Sequence, residues 1–110
     1  MLTISQNQQD NVVIFVIDGR VDSEGAMKME ETLYHVVKDG HFHLVLDLSQ
    51  TNYMNSAGLR TLADVLTQCR EQGGDLKLAA PNPKILRVLQ IIGFDKFFNV
   101  YDDLDEAVQD

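Results

Sequence analysis

Residues 44–62 read LVLDLSQTNYMNSAGLRTL, and this stretch contains the two kinds of element that decide the fold. It opens inside a continuous apolar strand, residues 42–48, which is typical of a strand covered on both faces. A polar linker, residues 50–55, leads to a helix over residues 56–72. The apolar residues of that helix recur at intervals of three and four, which predicts one buried stripe. The stripe consists of Leu59, Leu62, Ala63, Leu66 and Cys69.

The same alternation of strands and helices continues on both sides of this stretch. Further strands are predicted at residues 2–6, 12–17, 76–80 and 97–101. One helix is capped by Asp22 or Ser23 and runs to about residue 39. It places Met27, Met29, Leu33, Val36 and Val37 on its inner side. Another begins at Asn82-Pro83, where asparagine suits the cap and proline the first helical position. A short acidic helix over residues 103–108 ends the chain.

This order of elements predicts the fold class. Strands separated by helices imply right-handed parallel crossovers, whereas the first two strands pair as an antiparallel hairpin. We therefore expect a single α/β domain over residues 1–110, with a mixed four- to five-stranded sheet and about four helices. A chain of this length suffices for one hydrophobic core.

The charge balance narrows the classes of partner. The chain has 17 acidic and 9 basic residues, a formal net charge of −8. Such a surface repels phosphate backbones and anionic lipid, so neither direct nucleic-acid binding nor membrane binding is expected. The charge suits a partner with a basic face, or serves only solubility. With neither a long apolar run nor a signal-peptide pattern, we expect a cytoplasmic protein.

No residue pattern predicts an active site, a cofactor or a metal centre. His41 and His43 alternate on one strand and share a face, but two histidines alone make an incomplete metal site. The single cysteine, Cys69, lies in the apolar stripe, where a buried hydrophobe is the better interpretation than a nucleophile. Glycine-rich phosphate-binding loops are missing from the sequence. We therefore expect a protein that is not an enzyme.

Ser56 stands at the predicted start of a helix, where two interpretations compete. Its hydroxyl can cap the helix by accepting a backbone N–H, which contributes about 1 kcal/mol. Alternatively, it is a phosphorylation site, because the positive end of a helix accommodates a phosphoryl group. Ala57 and Gly58 keep the first turn slim, which would let the backbone of a partner approach closely.

The sequence around Ser56 resembles that of STAS domains, specifically the bacterial anti-sigma factor antagonists. The resemblance rests on the strand that ends in Asp47-Leu48-Ser49, the short linker, and the run from Asn55 to Leu59. Residues 19–22, GRVD, are similar to a second family motif, and residues 92–98 with Tyr101-Asp102 are similar to the family's C-terminal part. Nearly the whole chain is covered.

The resemblance implies a partner switch. In that family the unphosphorylated antagonist binds an anti-sigma factor, which is also a serine kinase, and thereby releases the sigma factor. The kinase phosphorylates the first serine of the motif, here Ser56, and so ends binding, and a PP2C-type phosphatase restores it. The implied partner-binding residues are Asp22, Asp47, Ser49, Met54, Asn55, Ala57, Gly58, Leu59 and Arg60.

Several of these residues also have plainer interpretations. Asp22 is equally suited to capping its helix, and Asp47 with Ser49 can simply end their strand. The sequence departs from the family pattern at Asn55, where aspartate is usual, at Ala57, where a second serine is usual, and at Arg60, where a small residue is common. Arg60 can pair with a phosphate on Ser56, four residues earlier, or remain solvated.

Two rival functions stay open at this stage. One is a constitutive STAS adaptor subunit of a transport ATPase or another signalling complex, which uses the same helix without phosphorylation. The other is binding of a nucleotide or another small ligand near the strand ends. The sequence is compatible with either a monomer or a weak homodimer.

Overall fold

The computed structural model describes all residues from Met1 to Asp110. The strands are β1 (Leu2–Gln9), β2 (Val12–Val21), β3 (His43–Asp47), β4 (Thr51–Met54), β5 (Asp75–Ala79) and β6 (Val100–Tyr101). The helices are α1 (Ser23–Lys38), α2 (Ser56–Glu71), α3 (Pro83–Ile91) and α4 (Leu104–Gln109), with a 3₁₀ turn at Phe94–Lys96. None of the helices combines the length and hydropathy that crossing a bilayer requires.

The sheet is mixed and has the order β1-β2-β3-β5-β6, with β4 paired to β2. The β1–β2 pair is antiparallel and every other pair is parallel, which confirms the predicted hairpin and α/β class. The strand number is six rather than four to five. The additional strand, β4, lies in the segment predicted to be a linker.

Strand β4 is anchored at its first residue, Thr51, by hydrogen bonds to neighbouring elements. The buried Thr51 hydroxyl donates to the Ile17 carbonyl of β2 at 2.7 Å. The Asn82 side chain donates to the Thr51 carbonyl at 2.5 Å and also caps α3 by accepting the Ile85 N–H at 3.1 Å. This confirms Asn82 as the predicted cap. The anchoring holds β4 along the last residues of β2.

The continuous apolar character of β2 follows from burial on both faces. Val13, Phe15 and Ile17 face the main core. Ile14 faces the other way, in a small cluster with Val45, Ala79 and Ala107 of α4. Helices α1, α2 and α3 thus cover one face of the sheet and α4 covers part of the other.

Helix α1 presents a narrower inner face than the sequence predicted. Ala26, Met29, Leu33 and Val36 are buried in the main core, at the spacing of a single stripe. The prediction that Met27 lies on the inner side is wrong, because one residue step beyond Ala26 turns it about 100° away. Its side chain is 70% exposed.

The strand predicted over residues 97–101 is shorter, since β6 begins only at Val100. The chain leaves α3 through Gly93 in the left-handed conformation, with φ 81°, and enters the 3₁₀ turn. The Phe94 and Phe98 rings lie 5.3 Å apart, and Phe98 is buried in the main core. Residues 97–99 therefore do not extend β6, because the turn that packs the Phe94 and Phe98 rings together precedes it.

Candidate functional site

Helices α1 and α2 begin side by side at one edge of the sheet. Strands β2 and β4 are parallel, with Val21 opposite Met54, and each is followed directly by a helix. The Asn55 N–H donates to the Val21 carbonyl at 2.9 Å, which joins the end of β2 to the start of α2. Asp22 and Asn55 are therefore neighbours at this edge, although 33 residues separate them in the sequence.

Each of these two residues caps its helix. The Asp22 carboxylate accepts the Gly25 N–H at 2.9 Å, which confirms one of the two caps predicted for α1. The Asn55 side chain accepts the Gly58 N–H at 2.9 Å. The interpretation of Ser56 as the cap is therefore wrong. Ser56 is the first residue of α2, is exposed, and forms no hydrogen bond through its hydroxyl.

The glycines three residues after the caps serve packing. A Cβ on Gly58 would lie 2.7 Å from a Val21 methyl and 2.8 Å from the Met54 Cγ, and one on Gly25 would lie 2.7 Å from the Arg20 carbonyl oxygen. Gly58 is buried, so its small size brings α2 onto the sheet rather than leaving room for a partner. This corrects the expectation drawn from the sequence.

The predicted partner-binding residues divide into a supporting group and an exposed group. Met54 is buried, and Leu59 is partly buried against the main core, so both shape the surface from below. Ser56, Ala57 and Arg60 are exposed on α2. We refer to these three residues, with the capping pair Asp22 and Asn55, as the helix-start surface.

A groove of about 260 Å³ extends the helix-start surface between α1 and α2. Ala57 and Arg60 line it from α2, and the exposed Met27 lines it from α1. The sequence does not identify Met27 as a site residue, because its pattern predicts Met27 on the buried side of the helix. A methionine one step away from a buried stripe is the signal that could have identified it.

The electrostatic environment of Ser56 favours an anion. The cap uses the Gly58 N–H, and the Ser56 and Ala57 N–H groups have no acceptor within the chain. Unpaired N–H groups and the helix dipole both attract negative charge. The first turn of α2 contains no acidic residue, whereas that of α1 contains Glu24.

The site has two charged side chains, and only one of them, Asp22, is hydrogen-bonded within the chain. The Gly25 N–H lowers the pKa of the Asp22 carboxyl below its ordinary value, so Asp22 is ionised at neutral pH. Arg60, one turn after Ser56, takes part in no ion pair. Its guanidinium is therefore available to a phosphate or to a carboxylate of a partner.

A cation–π pair joins β2 and β4 near their C-terminal ends. The guanidinium carbon of Arg20 lies 4.4 Å from the centre of the Tyr53 ring, and the two residues are opposite each other on β2 and β4. The pair holds a flat cationic side chain on the face of the sheet away from α1 and α2, because the next residues, Val21 and Met54, face the main core. The sequence does not predict this contact of Arg20, because Tyr53 becomes its neighbour only when β4 pairs with β2.

The structure places Asp47 away from the helix-start surface. Asp47 lies opposite Val16 of β2, and Met54 lies opposite Val21, five residues further along, or about 16 Å of strand. The Asp47 carboxylate accepts the Ser49 N–H at 2.9 Å. This local turn agrees with the alternative that the two residues end their strand.

The histidines and the cysteine take no part in a metal site. No group of three or more histidine, cysteine or acidic side chains is arranged to hold a metal ion. Cys69 is fully buried, and burial raises the pKa of its thiol to about 11. Its position agrees with the interpretation of Cys69 as a small core residue.

Comparison with known proteins identifies the family. The profile of the STAS domain family matches residues 3–107. The chain therefore belongs to the STAS domain family, which confirms the resemblance seen in the sequence.

Several proteins similar to this chain are named anti-sigma factor antagonists. BtrV of Bordetella bronchiseptica, provisionally so named, is 32% identical over 106 residues, which cover 96% of this chain and 91% of BtrV. The anti-sigma-F factor antagonist RsfB of Mycobacterium tuberculosis is 28% identical over 107 residues, which cover 97% of this chain and 87% of RsfB. A crystal structure of an anti-sigma factor antagonist from Mycobacterium paratuberculosis matches with a TM-score of 0.90 at 29% identity. The match covers 99% of this chain and 92% of that protein.

Proposed function

We propose that this protein is an anti-sigma factor antagonist that binds its anti-sigma factor through the helix-start surface. Phosphorylation of Ser56 ends that binding. The relatives named above support the first part, and one observation carries the second. The Ser56 hydroxyl is exposed and free of any capping role, because Asn55 caps α2 in its place.

The proposed chemistry is transfer of a phosphoryl group from ATP by the anti-sigma factor acting as a serine kinase. The Ser56 Oγ attacks the γ-phosphorus, the bond to the bridging oxygen breaks, ADP leaves, and a base of the kinase takes the hydroxyl proton. A PP2C-type phosphatase reverses the modification by hydrolysis. This chain supplies the acceptor oxygen and is itself not an enzyme in this role.

The start of α2 supports a modification that acts as a switch without unfolding the domain. The phosphoryl group would carry about −1.5 to −2 charge and lie beside the free Ser56 and Ala57 N–H groups. No carboxylate in the first turn opposes it. Since the helix tolerates the charge, the change is confined to the surface that the partner contacts.

The test measures binding of the anti-sigma factor to the full chain by isothermal titration calorimetry. We expect Ser56→Ala to bind like the wild type and Ser56→Asp to bind at least about tenfold more weakly, since a charge is added within the interface. Thr67→Asp is the matched control. It places the same charge on an exposed residue of α2 about 16 Å further along the helix and should leave binding unchanged.

A second measurement tests the covalent step. Incubation with the anti-sigma factor and ATP should add one phosphoryl group to the wild type, detected by intact-mass spectrometry, and none to Ser56→Ala. Phosphorylation of Ser56→Ala, or equal binding by Ser56→Asp and the wild type, would refute the switch. Binding of an anti-sigma factor without modification would leave a constitutive adaptor as the function.

A further inference from the structure

A part of the chain outside the helix-start surface has an unusual charge pattern. Between Asp75 and Asp95 the sequence contains no acidic residue, although the chain as a whole carries a net charge of −8. The same segment contains three basic residues, and one of them, Lys77, is hydrogen-bonded within the chain. Its ammonium group donates to the Ala107 and Asp110 carbonyls at 3.3 and 2.7 Å. The other two, Lys84 and Arg87, are exposed on α3 and form no ion pair.

The charges of α3 run against its own dipole. Lys84 lies in the first turn, where the helix is already positive, and the last turn contains no basic residue. Helices α1 and α4 follow the opposite and favourable rule, with Glu24 in one first turn and Asp105 with Glu106 in the other. A local violation of this kind is typical of positions kept for function rather than for stability.

Exposed apolar side chains gather at the other end of α3. Ile91 is 70% exposed and Ile92 is 42% exposed, and Phe97, just beyond the 3₁₀ turn, is 63% exposed. They are three of the five large hydrophobic side chains that the molecule exposes. Phe97 also borders an apolar groove of about 270 Å³ against α2. Exposed apolar groups rimmed by charge are typical of protein interaction sites.

Two basic residues and one exposed apolar residue share one face of α3. Lys84, Arg87 and Ile91 are spaced three and four apart, so they form a single stripe on α3, opposite the buried Ile85 and Leu89. We define the α3 surface as Lys84, Arg87, Ile91, Ile92, Lys96 and Phe97.

We propose that the α3 surface docks an acidic amphipathic segment of another protein. The stripe runs from positive charge to apolar surface over two helical turns, about 10 Å. The complementary segment therefore presents carboxylates at one end and an apolar side chain about 10 Å away. The positive end of the α3 dipole adds to the attraction for those carboxylates.

Two other occupants fit less well. A second copy of this chain, docked symmetrically, would place Lys84 and Arg87 against the same basic residues. Its acidic α4 lies on the opposite face of the sheet, so a closed dimer could not pair both surfaces. An anionic bilayer is a broad surface, so the acidic remainder of the domain would repel it. A narrow protein segment interacts mainly with charges within a Debye length, about 8 Å, and so mainly with the basic residues of the α3 surface.

The experiment selects random 16-residue peptides on the immobilised full chain and counter-selects them on the variant Lys84→Glu/Arg87→Glu. We expect the surviving peptides to combine carboxylates with apolar residues. Their footprint in amide NMR spectra should fall on residues 84–97. Ile91→Ser should weaken binding about tenfold, because an isoleucine loses its contact. Lys38→Glu, an exposed lysine at the end of α1, should leave binding unchanged.

Three results would overturn the proposal. The first is selection that yields no peptide distinguishing the wild type from the charge-reversed variant, or peptides without carboxylates. The second is flotation of the wild type, but not the variant, with phosphatidylglycerol vesicles, which would assign the α3 surface to lipid. The third is a dimer in analytical ultracentrifugation that Ile91→Ser abolishes. None of these results depends on Ser56, so they leave the proposed antagonist function unaffected.

Discussion

Asp22 and Asn55 form the same hydrogen bond at the starts of two adjacent helices. Each side-chain oxygen accepts the N–H of a glycine three residues later, and each bond measures 2.9 Å. The Asn55 N–H in turn donates to the carbonyl of Val21, the residue before Asp22. The two helix starts are thereby held in one unit, and the serine beside the second cap is left free.

Removing the second cap should cost stability, whereas removing the serine should not. We expect Asn55→Ala to lower the free energy of unfolding by about 1 kcal/mol, because the Gly58 N–H loses its acceptor. Ser56→Ala should change it by less than about 0.5 kcal/mol. Guanidinium chloride denaturation measures both values. Asn55→Asp is the control and should retain full stability, and a Ser56→Ala cost as large as that of Asn55→Ala would contradict the assignment of the cap.

Gly58→Ala should destabilise the domain by about 1–3 kcal/mol, since the added methyl group overpacks the contact with Val21 and Met54. The double variant Met54→Ala/Gly58→Ala gives the methyl group room on one side. Its free energy of unfolding should exceed the value expected if the two single changes were additive. Strict additivity in thermal or chemical denaturation would show that Gly58 does not face Met54.

A phosphoryl group on Ser56 should have a lowered second pKa. Free N–H groups of α2 and the guanidinium of Arg60 both favour the dianion, so the pKa falls below its ordinary value of about 6. Titration followed by ³¹P NMR measures it. Arg60→Ala should raise the pKa part of the way back, and Arg87→Ala, on α3, should leave it unchanged. An Arg60→Ala variant with the wild-type titration curve would remove Arg60 from the phosphate site.

Cys69 should be unreactive in the folded protein. Burial, with a smaller effect from Asp75, raises the pKa of its thiol from 9.0 to about 11, so little thiolate forms at neutral pH. Alkylation by iodoacetamide should therefore require unfolding and accelerate in denaturant. As the pH rises above 9.0, the unfolded chain loses this proton while the folded chain retains it, so stability should fall between pH 9 and 11. Cys69→Ala should remove this part of the pH dependence, and rapid alkylation without denaturant would contradict the buried position.

Ala80→Gly should stabilise the domain. Ala80 follows β5 with φ 52°, in the left-handed region that disfavours a side chain. Glycine relieves a strain of about 1–2 kcal/mol but costs about 0.5–1 kcal/mol more backbone entropy, so we expect the free energy of unfolding to rise by about 0.5–1 kcal/mol. Ala79→Gly is the control, because the buried Ala79 has ordinary strand geometry and its loss of packing should be destabilising. A destabilising Ala80→Gly would show that the left-handed conformation carries no strain.

Local patterns in the sequence accounted for most of the elements. Continuous apolar runs mark β2 and β3, since strands buried on both faces need apolar residues on both. The pair Asn82-Pro83 marks the start of α3, because its cap and its fixed φ act within one turn. The apolar residues at intervals of three and four also predicted the helix that begins at residue 56. Ser56 is the first residue of that helix, one position after its cap.

Tertiary contacts decided the features that local patterns could not. The four residues of β4 become a strand only because β2 lies beside them and Thr51 bonds to Ile17. The choice of Asn55 over Ser56 as the cap depends on where β4 ends, and a shift of one residue exchanges their roles. Interactions within a few residues define every helix, the strands other than β4 and the serine at the start of α2, which is why local sequence patterns predicted them. Only the packing of β4 against β2 left that serine exposed and unbonded beside the start of a second helix, because this arrangement depends on contacts between residues more than 30 positions apart.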